Sequence, residues 1–248
     1  MPIFMDKHNV PGVSALHVAE AHREDMQIQH HYGCKCMTYW VDEERENVFC
    51  LIEAPDAEAV RTLHNKAHGL IPHEIIEVNS NVVQAFLGRI QDPEGFYGED
   101  PNLKIFNDPA FRTILVSRVT DRGLLAHQLG EDKAARLVGL YSEIMQKQLQ
   151  AFEGREVELK GGGVTASFVS VNQAVDCAVA AIEELHVAGE LLDLRIGINA
   201  GLPVNKSKEL FGDTVRMARY LCRIGSENQI VLASIIREIY SGDKKGSS

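Results

Sequence analysis

Residues 157–168 read VELKGGGVTASF, an alternating strand, three consecutive glycines and a second strand. Glycine is the usual residue for a hairpin turn that needs positive φ, but such a turn uses one or two, not three. The triplet Gly161-Gly162-Gly163 is either a loose turn or a functional turn that has lost a side chain from its middle, and the choice decides whether the chain is an enzyme. Outward from the hairpin, a strand is predicted at 112–119 (RTILVSRV) and a long helical region over 121–153. In that region Leu124, Leu125, Leu129, Leu137, Leu140, Ile144 and Leu149 fall on one face. After the hairpin come a helix over 172–188, a strand over 191–200, a helix near 212–224, a strand over 229–233 and a helix over 234–241. The order is β-α-β-β-α-β with an appended αβ unit.

The start of the chain repeats that order without repeating the sequence. Residues 2–9 (PIFMDKHN) alternate as a strand, Pro11-Gly12 turn the chain, and Ser14 caps a helix that Gly33 ends. Strands follow at 34–43 and 47–54, a helix over 57–68 and a strand over 73–79. Between the halves, 80–110 opens with a short amphipathic piece, NVVQAFLGRI, that leads into QDPEGFYGEDPNLKIFNDPAF, rich in Pro, Gly, Asp and Asn, and the segment reads as a linker or interdomain arm. The predicted fold class is therefore α+β: two ferredoxin-like domains, 1–79 and 111–241, with a linker at 80–110 and a disordered tail at 242–248.

Composition narrows the function. The 248 residues carry a formal charge of −10, which argues against nucleic acid or an anionic membrane as partner. No apolar run approaches the roughly 20 residues that span a bilayer. MPIFMDKHN shows no signal peptide, so a cytoplasmic location is expected. Five cysteines fit reduced thiols better than a disulfide framework.

Four pieces in order, RTILVSRVTDRGLLAHQLG, GREVELKGGGVTASF, LRIGINAGLP and FGDTVRMARYLCRIGSENQIVLAS, resemble the class III nucleotide cyclase homology domain. The resemblance implies two metal-holding aspartates, at the positions occupied here by Arg118 and Gly162. It also implies a base-recognising lysine where this chain has Glu158, and a transition-state asparagine and arginine at Arg216 and Tyr220. Arg219 is one residue away from the last position, about 100° around the helix. On this reading the glycine triplet is a Gly-Asp-Gly turn without its aspartate, and the domain is a pseudocyclase with no magnesium or manganese at the site. Arg118, Lys160, Arg216 and Arg219 either converge on an anion or are ordinary surface charges. Because cyclase sites form between two chains, and because a ferredoxin-like sheet leaves one face to cover, a homodimer is expected.

Eight of the ten histidines, with Cys34, Cys36 and Cys50, fall in the first 73 residues. His64 and His68 stand at i, i+4 on a helix, a spacing that chelates a divalent metal. Neither lies in a hydrophobic run, so their joint replacement by alanine is expected to leave the fold intact. Asp6 and His8 share one strand face, Cys50 lies on the neighbouring strand, and His22 on the first helix reaches the same end. The expected ligands are thus His8, His64, His68, Cys50, His22 and Asp6, a donor set suited to nickel, zinc or copper. Cys50 in VFCLI reads equally as a buried inert thiol. The pieces FMDKH, VAEAHREDMQIQHHYG, TYWVDEE, FCLIEAPD and HNKAHGLIPHEIIEV resemble a family of small ferredoxin-like proteins that includes a nickel-binding member. Three functions follow: a nickel-binding protein whose pseudocyclase half serves dimerisation or sensing, a silent nucleotide- or anion-binding regulator, or a metal-dependent enzyme in the first domain.

Overall fold

The computed structural model describes residues 1–94, 103–119, 122–157, 163–188 and 192–245. The chain divides into two compact units, Met1–Phe111 with Leu202–Asp213, and Arg112–Gly201 with Thr214–Ser248.

The first unit runs β1 (Ile3–Asn9), α1 (Ala15–Ile28), a 3-10 turn (Gln29–Tyr32), β2 (Lys35–Asp42), β3 (Asn47–Glu53), α2 (Ala57–Ala67), β4 (Glu74–Val78) and α3 (Ser80–Leu87). Its strands form an antiparallel sheet in the order β2-β3-β1-β4. The helices start where the sequence supplies caps. The Ser14 hydroxyl accepts from the His17 N–H at 3.3 Å, and the Asp56 carboxylate from the Ala59 N–H at 2.8 Å. Phe4, Val41, Val48 and Ile52 from the sheet pack with Val18, Val60 and Leu63 from the helices in one core.

Residues 80–110 differ from the expected linker. They supply α3, and Leu103 and Phe106 belong to the same core. Phe106 stacks on Tyr39 with ring centroids 4.2 Å apart, and the Tyr39 hydroxyl donates to the Lys104 carbonyl at 2.8 Å. A Pro- and Asp-rich frame hid these two apolar anchors; residues 95–102 lie outside the described residues. On the opposite face of the sheet Met5, Trp40, Phe49 and Leu51 are fully buried within the chain, so the uncovered apolar face expected there is not present. Each such side chain stabilises by roughly 1.5–3 kcal/mol, more than an exposed ion pair, so packing and not surface charge holds this layer.

The second unit contains β5 (Arg112–Val119), α4 (Arg122–Leu129), α5 (Glu131–Ala151), β6 (Arg155–Glu156), β7 (Val164–Phe168), α6 (Val171–Val187), β8 (Leu194–Gly201), most of α7 (Gly212–Ile224), β9 (Ile230–Leu232) and α8 (Ser234–Lys245). The sheet order β6-β7-β5-β8-β9 repeats the connectivity of the first sheet and adds β9, parallel to β8. The long helical region breaks at Gly130. Leu125, Leu137, Ile144 and Leu149 are buried, whereas Leu124 and Leu129 are exposed, because a single stripe does not continue across the break. α8 reaches Lys245, past the expected start of a disordered tail at 242.

In the hairpin, the Val157 N–H donates to the Thr165 carbonyl at 2.7 Å, while residues 158–162, including Lys160 and Gly162, lie outside the described residues. Gly163 has φ +76°, and a Cβ there would sit 2.3 Å from the Ser117 carbonyl oxygen. Position 163 therefore needs glycine for its approach to β5, whatever occupies 162. The Tyr141 hydroxyl anchors the same corner, lying 2.8 Å from Ser117 Oγ and accepting from the Val164 N–H at 3.1 Å. A second close approach occurs at Gly197 on β8. A Cβ there would meet the Ala218 carbonyl oxygen at 2.2 Å and the Cys222 nitrogen at 2.3 Å, so α7 rests its backbone on the strand.

Candidate metal centre

Three elements of the first unit bring polar side chains onto its apolar faces. The buried residues of α1 are Ala15, Val18, Ala19, His22 and Asp25, a helical stripe whose last two members are polar. On α2 the buried residues are Val60, Leu63 and His64. On β1, Asp6 and His8 follow Phe4 at alternate positions, and the β1–β3 register pairs Met5 with Leu51 and His8 with Val48, which sets Cys50 beside Asp6.

The result is a cluster centred on His64, whose side chain is 1% exposed. Its Nε2 lies 2.8 Å from Asp6 Oδ2, and its Nδ1 lies 3.0 Å from Asp25 Oδ2 and 3.2 Å from His68 Nε2. His68 Nε2 in turn lies 3.3 Å from Asp25 Oδ2, while its Nδ1 accepts from the Leu70 N–H at 3.2 Å. A neutral ring that accepts at Nδ1 carries its proton on Nε2, so His68 donates toward Asp25. The other Asp6 oxygen, Oδ1, accepts from the Cys50 backbone N–H at 3.1 Å and lies 3.3 Å from His8 Nε2.

Two groups of side chains thus have metal-ligand geometry and share His64: Asp6, His8, Cys50 and His64, and Asp25, His64 and His68. Within each group the ligand atoms lie within 4.8 Å of one another. Bonds of about 2.0–2.3 Å to a tetrahedral ion put ligand atoms roughly 3.3–3.8 Å apart, so a small contraction suffices. His22 joins neither group; its Nε2 lies 3.6 Å from Asp92 Oδ2. Burial explains the difference from the sequence expectation at His64, which is a core residue of the unit. It also explains why Asp25 escaped notice. The available signal was an aspartate falling in the helical register of Ala15, Val18 and His22.

The electrostatics follow from this burial. Desolvation alone would lower the His64 pKa, but the carboxylates of Asp6 and Asp25 outweigh it and raise it from 6.5 to about 10. Burial would raise Asp6 and Asp25, yet the neighbouring histidines hold both below the usual carboxylate range. Burial, reinforced by the charge of Asp6, pushes the Cys50 thiol well above its ordinary value. A dication would therefore displace protons from His64 and Cys50. The fit is chemical as well as geometric, because imidazole, thiolate and carboxylate donors suit nickel, zinc or copper better than calcium or magnesium. His8 Nε2 is buried and, beside its 3.3 Å approach to Asp6 Oδ1, makes no hydrogen bond among the described residues.

The positions named in the second unit are dispersed over two elements. Arg118 lies exposed near the end of β5, directly opposite Arg195 on β8, whose guanidinium is held by Asp193 at 2.6 Å. Arg216, Arg219 and Tyr220 lie on the exposed side of α7.

Fold and site together define a two-unit α+β protein whose first unit carries a buried histidine-carboxylate-cysteine cluster. Residues 4–78 match the family of nickel-responsive SCO4226-like proteins. The solved structure of SCO4226 from Streptomyces coelicolor A3(2) is 32% identical, covering 31% of this chain and 94% of that one, with a TM-score of 0.30. Through its first unit the chain belongs to this family. The rest is similar to adenylate/guanylate cyclases. A protein of Rhizobium meliloti (strain 1021) described as putative adenylate cyclase 3 is 27% identical over 112 residues, 43% of this chain. The chain spans only 19% of the length of that relative. An adenylate/guanylate cyclase/hydrolase from Silicibacter pomeroyi is 22% identical, covering 53% of this chain and 80% of that one, with a TM-score of 0.45. Among the described residues no helix is long and apolar enough to cross a membrane.

Proposed function

We propose that this is a cytoplasmic protein that binds a divalent transition metal, nickel first among the candidates, in its first unit. Its second unit is a catalytically silent cyclase homologue that serves pairing or sensing. Both units are read as ferredoxin-like, the second with cyclase-type additions. The single observation that carries the metal reading is the convergence of Asp6, His8, Cys50 and His64, with ligand atoms within 4.8 Å of one another. Of the two overlapping groups this one is favoured. With its Nδ1 hydrogen-bonded to Asp25, His64 offers Nε2 as a ligand, the pattern by which a carboxylate orients a metal-bound histidine. His68 then steadies Asp25 from behind. Bound there, the ion supplies a fixed positive charge in place of two protons.

Silence of the second unit is supported by Arg118, which puts a guanidinium where a cyclase holds a metal-binding carboxylate, and by Arg195 opposite it. Pairing is supported by Met217, Tyr220 and Ile224, an apolar stripe on α7 whose members are 46%, 47% and 54% exposed.

Calorimetric titration of untagged full-length protein with nickel, zinc and copper tests the centre. One ion per chain is expected. Cys50→Ser should weaken it by about a hundredfold or more, and His68→Gln by about tenfold or less. The reverse ranking moves the ion to Asp25, His64 and His68. No uptake ends the metal reading.

A further inference from the structure

The four ligands proposed for the metal are at most 8% exposed, so an ion needs a way in. A cavity of ≈ 240 Å³ reaches them, with His8, Cys50 and His64 in its lining. At roughly 30 Å³ per water it has room for several, enough for a dication to enter with part of its hydration shell. Of the lining residues, Pro11, Gly12, His17 and Leu70 are exposed and so form the mouth. His17 is the metal donor among these four, and it belongs to neither ligand group. Further from solvent, His68 is half-buried and Asp25 buried, so the donors are graded in depth from the mouth to the centre. Val13, Val18 and Val48 make the rest of the wall apolar, a surface that cannot itself solvate a charge.

The mouth also carries charge of one sign. The Gly12 N–H donates to Glu46 Oε1 at 2.9 Å, and the Ala15 N–H to Glu43 Oε1 at 2.6 Å. Two carboxylates from the turn between β2 and β3 are thus held against the segment that leads into α1. They concentrate cations there and disfavour anions. We infer that this cavity is the loading channel of the metal centre, with His17 as the outer donor that takes a divalent cation from water. The inference rests on the metal reading and adds a route and a residue to it. An imidazole at the mouth replaces a water of the arriving cation before the apolar wall is passed, which lowers the cost of dehydration. His17 therefore eases entry and exit alike and contributes nothing to the bound state.

The test is stopped-flow mixing of chelator-treated, untagged full-length protein with nickel chloride, read by an indicator for free nickel. Release is read after adding excess chelator to the loaded protein. His17→Ala should slow loading by about tenfold and release by the same factor, with equilibrium affinity within about twofold of the parent. His17→Asp, which returns a donor to the mouth, should recover most of the rate. Glu46→Gln should slow loading by about two- to threefold and flatten its dependence on salt. His31→Ala removes an exposed histidine outside the cavity lining and should leave both rates at the parent level. Parent rates in His17→Ala, or equal slowing in His31→Ala, overturn the inference. Faster release with weaker affinity in His17→Ala overturns it as well, by making His17 a ligand of the bound ion. Equilibrium uptake is measured in the same samples. No uptake by the parent ends the metal reading and this inference together, whereas normal uptake at unchanged rates ends this inference alone.

Discussion

His64 lies between two buried carboxylates, and that position sets both its charge and the consequence of removing it. Its pKa is raised from 6.5 to about 10, so the stabilisation from its protonated form is complete below pH 6.5 and fades as pH climbs toward 10. Asp6 and Asp25 are held below their ordinary 3.8, so their contribution is present above that value and is lost as pH falls through their lowered values. The metal-free first unit should be most stable between about pH 4 and pH 6.5. Metal binding has the opposite dependence, because an ion must displace protons from His64 and Cys50. Affinity should keep rising above neutrality, by about two decades per pH unit between pH 7 and pH 9. Titrations at pH 7 and pH 8 check this, and an affinity that levels off above pH 7 contradicts it. His64→Ala leaves Asp6 and Asp25 buried without their shared cation, at about 3–5 kcal/mol. The sequence expectation of an intact fold for the His64/His68 alanine pair is thereby revised. Thermal unfolding of metal-free His64→Ala should show a large loss, and an unchanged midpoint would refute the buried charge cluster.

At the scale of elements, the fold was largely legible. Caps at Ser14 and Asp56, alternation in β1 and the apolar run of β5 follow local rules, and the structure places those elements within a few residues of expectation. The misses share a cause, in that each depended on what an element packs against. The 80–110 segment looks like a linker until Leu103 and Phe106 meet the core, and the helical region looks continuous until Gly130 turns it. The site was legible as to residue type but not arrangement. Asp6, His8, Cys50 and His64 were visible as metal donors, whereas Asp25 needed the α1 stripe to be matched to α2, and the distinct surroundings of His22 needed Asp92. Close backbone packing was equally hidden. Gly197 carries α7, and Gly197→Ala would place a methyl 2.2 Å from the Ala218 carbonyl oxygen. A loss of about 1–3 kcal/mol or more in denaturant unfolding is expected. A neutral substitution would show that α7 does not rest on β8 as described.

For the whole molecule, the proposed function pairs a metal-binding unit with a silent cyclase homologue. With Arg118 opposite Arg195 and α7 carrying Arg216 and Tyr220, no cyclic nucleotide should form from ATP or GTP with magnesium or manganese. Turnover that a second-unit mutation abolishes would overturn this. Light scattering should give twice the 27.5 kDa of one chain, and a monomer mass at micromolar concentration would contradict the pairing role of α7. The central claim is the identity of the metal centre, and the thiol of Cys50 separates the two groups that share His64. The most direct measurement is the near-ultraviolet absorption of the full chain titrated with nickel or cobalt. A thiolate-to-metal charge-transfer band should grow to saturation at one equivalent, persist in His68→Gln and vanish in Cys50→Ser. Saturable binding without that band would place the ion at Asp25, His64 and His68 and contradict the account.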